Sequence, residues 1–203
     1  MKNLAFILIS LVIAAFFVSA YSQNTEKDIA DNVIRLHITA ESDSDIDQAV
    51  KLKVRDRITS DMAPVLSAAG SKEESEKLVM ENMDRIRAAA NDELMKNGMS
   101  YTAECFLGRS RFPVKTYGDI TFPPGEYTAL RIILGSGEGK NWWCVMYPPL
   151  CFVEGDTVMT DEGKNILKNN MDGDSYSLIT ESGSDPDIKI KFKIVELFQE
   201  FNK

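Results

Sequence analysis

The sequence predicts an α+β fold, with two N-terminal helices packed on a mostly antiparallel sheet and a helical segment near the C-terminus. The order of local patterns is the first observation behind this class. An alternating run at residues 33–39 precedes two stretches of helical period, and strand-like runs follow only after them. Glycine and proline separate those later runs, as in the turns of an antiparallel sheet.

The first twenty residues have the three parts of a secretory signal peptide. Lys2 carries the positive charge, residues 4–18 form an apolar run, and small residues follow at Ser19 and Ala20. The apolar run is at the short end for a membrane-spanning helix, which needs roughly 17–25 residues. We therefore favour cleavage over retention as an anchor, and in both cases the rest of the chain lies outside the cytoplasmic membrane.

Four regions are expected along the chain. Composition alone separates the apolar start, a polar tether, the patterned middle and an acidic end. The regions are a signal peptide (1–20), a linker (21–32), an α+β domain (33–152), and an acidic loop with a C-terminal amphipathic segment (153–203).

Capping signals place the helices. Ser44 or Asp45 can begin the first helix, and Pro64 marks its end or a kink. The capping-box pattern from Ser71 to Glu74 opens the second helix, which stops near residues 97–98.

The later elements follow from alternation and turn residues. Glycines at positions 135, 137 and 139 are best explained as a β-hairpin loop, because no helix start follows them. A short helix is expected at residues 161–170. Residues 188–201 alternate like a strand at first and then suit an amphipathic helix, which we favour for their second half. The strand candidates are residues 101–107, 111–117, 127–134 and 142–147.

The three cysteines predict one disulfide if the chain is exported. Cys144 and Cys151 flank a Pro-Pro turn, and closing so short a loop would contribute about 2.5 kcal/mol. Two reduced core thiols are the alternative for this pair. Cys105, in a strand-like run, is expected to be a buried free thiol.

No catalytic or metal site emerges, and no cofactor is expected. A net charge of −8 argues against nucleic acid and against anionic lipid headgroups as partners. His37, the only histidine, lies in a strand-like run and is best explained as structural. Asp43, Asp45 and Asp47 alternate, but an EF-hand loop starting at Asp43 would need glycine where Gln48 stands.

An aromatic cluster is the strongest candidate for protein binding. Trp142 and Trp143 are adjacent on a predicted strand, so their rings must point to opposite faces. One ring can enter the core, and the other needs a cover or a partner, a choice that the sequence leaves open. The candidate partner-binding residues are Trp142, Trp143 and Tyr147, with the acidic Asp43, Asp45 and Asp47 as a second group.

Two blocks of this sequence resemble the stage II sporulation protein R family. The first is residues 33–56, VIRLHITAESDSDIDQAVKLKVRD. The second combines residues 124–135, PGEYTALRIILG, with residues 141–152, NWWCVMYPPLCF. The sequence departs from the expected pattern at Glu41, where asparagine is expected, and at Lys140, where histidine is expected.

The resemblance implies a signalling role in endospore formation. Family members are exported from the forespore into the space between it and the mother cell. There they activate a membrane-embedded aspartic protease of the mother-cell membrane, which then removes the pro-sequence of sigma-E. On this interpretation the chain is a protein ligand and not an enzyme, and it is adjacent to the membrane only through its partner. The alternative is an extracytoplasmic hydrolase with a carboxylate-based site that acts on cell wall.

Overall fold

The computed structural model of the protein describes residues 24–150 and 159–181. The predicted signal peptide, Cys151 and the predicted amphipathic segment at residues 188–201 lie outside these ranges. Within them, no helix combines the length and the apolar character needed to cross a membrane.

Six helices and six strands make up the described ranges. In chain order they are α1 (24–31), β1 (Ile34–Thr39), α2 (Asp45–Leu66), α3 (Lys72–Glu81), α4 (Met83–Lys96), β2 (Ala103–Phe112), β3 (Lys115–Tyr117), β4 (Ile120–Phe122), β5 (Gly125–Leu134), β6 (Asn141–Tyr147), α5 (Asp161–Asn170) and α6 (Gly173–Glu181). The predicted α+β class is confirmed.

The main sheet has four strands in the order β2-β5-β1-β6. β1 runs parallel to β5 and antiparallel to β6, and β2 runs antiparallel to β5. Strands β3 and β4 form a separate two-stranded hairpin. The sheet is therefore mixed, with antiparallel pairing in two of its three strand pairs.

The connection between β5 and β6 is not the hairpin loop that the glycine pattern predicted. Since β1 lies between these strands, residues 135–140 arch over the end of β1, and we call them the arch. Gly135 and Gly137 have positive φ values of 59° and 68°, which residues with a Cβ rarely adopt. Their backbone freedom allows this crossing.

The predicted helix boundaries hold where a cap sets them. The Ser44 side chain accepts a hydrogen bond from the Asp47 N–H and starts α2. Pro64 does not end that helix, which continues to Leu66. The Ser71 side chain likewise caps α3, but a turn at Asn82 divides the predicted second helix into α3 and α4.

Other elements differ from the sequence prediction. β2 runs through Gly108 without interruption, so the predicted break there and the single strand at residues 111–117 are wrong. Part of the predicted linker is helix α1, which buries Ile29 and Ala30. Helix α5 was predicted correctly, whereas α6 was not predicted, and Leu167 and Ile179 from these two helices belong to the core.

One face of the sheet packs against helices α2 and α4. Alternate residues of β1 on this face are fully buried, namely Ile34, Leu36 and Ile38. Helix α2 buries Val54 and Ile58 toward the same core. We call this the helix face of the sheet.

The opposite face, here the second face, is centred on Arg35, whose side chain is 0% exposed. Its Nε donates to the Cys144 carbonyl oxygen at 3.1 Å, and Nη2 donates to the Tyr117 hydroxyl at 3.0 Å. Four aromatic rings surround the guanidinium, with its carbon 4.5–5.8 Å from their centroids. These rings belong to Phe112, Tyr117, Phe122 and Tyr127.

Replacing Arg35 should therefore destabilise the whole sheet. We expect Arg35→Ala to cost about 3 kcal/mol, because it leaves a cavity and removes two buried hydrogen bonds. Arg35→Met should cost less, since it fills the space and places no charge in the interior. Urea unfolding measures both, with the exposed Arg109→Ala as the matched control, expected within about 0.5 kcal/mol of wild type. A loss below about 1 kcal/mol for Arg35→Ala would contradict this role.

Candidate functional site

The predicted acidic group lies where β1 leads into α2, and one of its members, Asp43, helps to hold the arch in place. The Asp43 carboxylate accepts a hydrogen bond from the Lys140 N–H at 2.7 Å. The buried Lys51 ammonium donates to the Lys140 carbonyl oxygen at 2.8 Å. Asp43 therefore has an intramolecular role, whereas Asp45 is exposed at the helix start.

Asp47 is the best-satisfied carboxylate of this group. It accepts hydrogen bonds from the hydroxyls of Ser42, Ser44 and Tyr101, the last at 2.6 Å. These donors, Ser42 first, hold the pKa of Asp47 below its usual range. Burial, with the hydrogen bond to Asp47, raises the pKa of Tyr101. Asp47 therefore stays ionised and tethers the chain before β2 to the start of α2.

The arch packs too closely against the β1–α2 connection and against β5 for residues larger than glycine at positions 139 and 137. A Cβ on Gly139 would lie 2.3 Å from the Ser42 carbonyl oxygen, and one on Gly137 would lie 2.6 Å from the Ile133 side chain. Glu41 accepts a short hydrogen bond from the Ser136 N–H. Glu41, which stands where the family resemblance predicts asparagine, thus helps to hold the arch.

The two tryptophans point to opposite faces, as the strand period requires. Trp142 lies on the helix face, where the Arg55 guanidinium carbon is 4.4 Å from its ring centroid. Trp143 lies on the second face and stacks on His37, with ring centroids 3.7 Å apart and an interplanar angle of 13°. Both rings are partly exposed, so neither is a fully buried core residue.

The remaining candidates of the aromatic and cysteine cluster are mostly buried. Tyr147 is 2% exposed, which places it in the core and not on the binding surface proposed for it. Cys144 is fully buried and disulfide-bonded, and Cys105 is a buried free thiol, as predicted. Because Cys151 lies outside the described residues, its pairing with Cys144 stays a prediction.

His37 is the least ordinary polar residue of the second face. Its Nε2 lies 2.7 Å from the Asn141 side-chain oxygen and 3.1 Å from the Thr39 hydroxyl, whereas Nδ1 is buried without a hydrogen-bond partner. Burial lowers its pKa to about 4, against the opposing effect of the Asn141 hydrogen bond, and the nearby Arg131 charge lowers it further. The sequence predicted a structural histidine, but the structure satisfies only one ring nitrogen.

The pKa of His37 makes stability depend on pH. Since the folded pKa of about 4 lies below the unfolded value of 6.5, the unfolded chain takes up this proton first. The stabilisation is complete above about pH 6.5 and is lost as the pH falls toward 4, by roughly 3 kcal/mol.

Proton NMR of the only imidazole in the chain measures this pKa directly. The pH dependence of unfolding in wild type, minus that of His37→Gln, isolates its effect from those of the carboxylates. A measured pKa near 6.5 would contradict the assignment.

Comparison with known proteins identifies the family. The profile of the stage II sporulation protein R family matches residues 30–157, a range that includes strands β1 to β6. Stage II sporulation protein R of Bacillus subtilis (strain 168) is 37% identical over 150 residues, which cover 72% of this chain and 67% of the relative. No solved structure matches the chain significantly. The chain therefore belongs to the stage II sporulation protein R family, a family of sporulation proteins.

Proposed function

We propose that the protein is an exported signal of sporulation that activates a membrane-embedded aspartic protease. Its place of action is the space between forespore and mother cell, and the protease lies in the mother-cell membrane. Activation leads to removal of the pro-sequence of sigma-E. The observation that carries this proposal is the family match across the whole four-stranded sheet.

Export is supported by the first twenty residues. Lys2, the apolar run at residues 4–18 and the small residues after it form the pattern that directs a chain across the cytoplasmic membrane. A forespore product that must reach a protease in another membrane requires such a signal.

The chemistry of the described polar residues favours a ligand over the alternative hydrolase. A carboxylate-based hydrolase needs a general acid whose pKa is raised. The pKa of Asp47 is instead lowered by its hydroxyl donors. The Asp43 carboxylate already accepts a hydrogen bond from the backbone of the arch. The hydroxyl within reach of His37 is that of Thr39, which is buried and donates its own hydrogen bond to the Asn141 side-chain oxygen.

Reconstitution in cells that do not sporulate tests the proposal. The chain, the candidate protease and its sigma-factor precursor are expressed together, and precursor cleavage is followed by immunoblot. We expect cleavage only when all three proteins are present and the chain is exported. Matched controls are a chain without residues 1–20, which stays in the cytoplasm, and a protease without its catalytic aspartate. Cleavage by the cytoplasmic form equal to that by the full chain would contradict an extracytoplasmic signal.

The two tryptophans should respond differently in this assay. We expect Trp143→Ala to reduce activation at least tenfold, because the partly exposed ring lies on the second face where a partner can reach it. Trp142→Ala should cost about 2 kcal/mol of stability and leave activation of the folded fraction unchanged, since Arg55 covers that ring. Thermal unfolding measures how much of each variant is folded at the assay temperature. Full activation by folded Trp143→Ala would show that this ring does not contact the protease.

A further inference from the structure

One row of side chains crosses all four strands of the second face at the same level. His37 in β1 is paired with Arg131 in β5 and with Trp143 in β6, and Arg131 is paired in turn with Phe106 in β2. We call these four residues the transverse row. Its order is aromatic, cationic, imidazole and aromatic.

The two ends of the row are aromatic and accessible. Phe106 is 38% exposed, one of the few large apolar side chains of the described chain at the surface. Its ring lies 4.8 Å from the Arg131 guanidinium carbon. Trp143, at the other end, is partly exposed and stacks on His37. Each end therefore presents an apolar surface beside a polar centre.

The two central residues carry buried nitrogens without partners. Arg131 Nε and His37 Nδ1 are both buried and accept or donate no hydrogen bond within residues 24–150 and 159–181. His37 is itself only 6% exposed. An unsatisfied buried polar atom is costly to folding, so two of them at paired positions need an explanation. Recognition of a ligand supplies one, because an acceptor on the ligand can take the Arg131 Nε–H while a donor on the ligand serves His37 Nδ1.

Arg131 also lacks an opposite charge. Arg131 takes part in none of the ion pairs found among the described residues. Of its three guanidinium nitrogens, only Nε is a buried atom without a hydrogen-bond partner. The chain as a whole has a net charge of −8. A partly exposed, unpaired arginine between two aromatic rings is therefore a local exception that fits a carboxylate.

We infer that the transverse row binds an extended acidic segment of a protein partner, with a glutamate or aspartate side chain on Arg131 and apolar side chains on Phe106 and Trp143. The carboxylate pairs with the guanidinium, and an N–H or O–H group of the same segment donates to His37 Nδ1. Naming the receptor protease as this partner rests on the proposed function, whereas the binding chemistry of the row does not.

The spacing of the strands fixes the length of the segment. Neighbouring strands lie about 4.8 Å apart, so the row spans about 14 Å from β2 to β6. An extended peptide rises about 3.3 Å per residue, and about five residues cover that distance. The segment that fits has apolar residues at its two ends and an acidic residue between them.

A peptide titration tests the inference without the protease. The purified full chain is titrated with blocked acetyl-Leu-Ser-Glu-Ser-Leu-amide and with the same peptide carrying Gln in place of Glu, while NMR follows the His37 imidazole. We expect saturable shifts with the Glu peptide, at least tenfold weaker binding of the Gln peptide, and no shift in Arg131→Gln. The matched control is Arg109→Gln, which removes an exposed arginine of β2 outside the row and should bind like wild type. Equal binding of both peptides, or no shift at millimolar peptide, would overturn the inference.

The activation assay provides the second arm. Arg131→Gln should lose at least tenfold in precursor cleavage with an unchanged melting temperature, Arg131→Lys should recover only part, and Arg109→Gln should act like wild type. Full activity of folded Arg131→Gln would show that the receptor does not use the row. If wild type activates nothing, the proposed function fails, and the peptide titration then decides the inference alone.

Discussion

The buried guanidinium of Arg35 is the interaction on which the rest of the structure depends. No ion pair of the described residues includes this cation, so hydrogen bonds and aromatic faces must replace its lost hydration. The Tyr117 hydroxyl accepts from Arg35 and donates to the Trp143 carbonyl oxygen at 3.1 Å, which links β3 to β6. A single side chain of β1 thus contacts residues of β2, β3, β4, β5 and β6. The aromatic rings around Arg35 belong to Phe112, Tyr117, Phe122 and Tyr127, and the backbone carbonyl acceptor belongs to Cys144.

This constraint divides the second face of the sheet into two halves. Around Arg35 the β3–β4 hairpin closes the face, and helix α6 packs behind β4. Two residues further along β1, the other half begins at His37. The side chains around it on this face, such as Arg131 and Trp143, are partly exposed. Phe112 contacts both Arg35 and His37 and so joins the closed half to the open one. The closed half buries its side chains around Arg35, whereas the open half holds the transverse row, as the proposed binding of a partner requires.

Local sequence patterns correctly predicted two kinds of feature, helix caps and the alternation of side chains along a strand. Ser44 and Ser71 cap helices where the sequence placed them, and the strand period sends Trp142 and Trp143 to opposite faces. The path of the arch could not be read in this way, because it depends on β1 lying between β5 and β6. Nor did Gly108 break β2, since pairing with β5 along the full strand outweighs the weak strand propensity of one glycine.

The candidate site was predictable in part. The sequence predicted both Trp143 and Tyr147 as partner-binding residues. Tyr147 is buried, whereas Trp143 is not. Arg131 and Phe106 gave no local signal, because their proximity arises only from the registers of β1, β2 and β5. The alternation at Arg35 and His37 predicted a strand with one buried face, and this is wrong, because both faces of β1 are buried.

Hydrogen–deuterium exchange with membranes that carry the proposed receptor protease is the most direct test that the open half binds this partner. It needs no substitution and reports on the backbone of every described element. We expect slower exchange in the edge strands Ala103–Phe112 and Asn141–Tyr147 when the protease is present, with no change in α3 or α5. Protection confined to helices α2 and α4, or no protection anywhere in the sheet, would contradict binding at the open half.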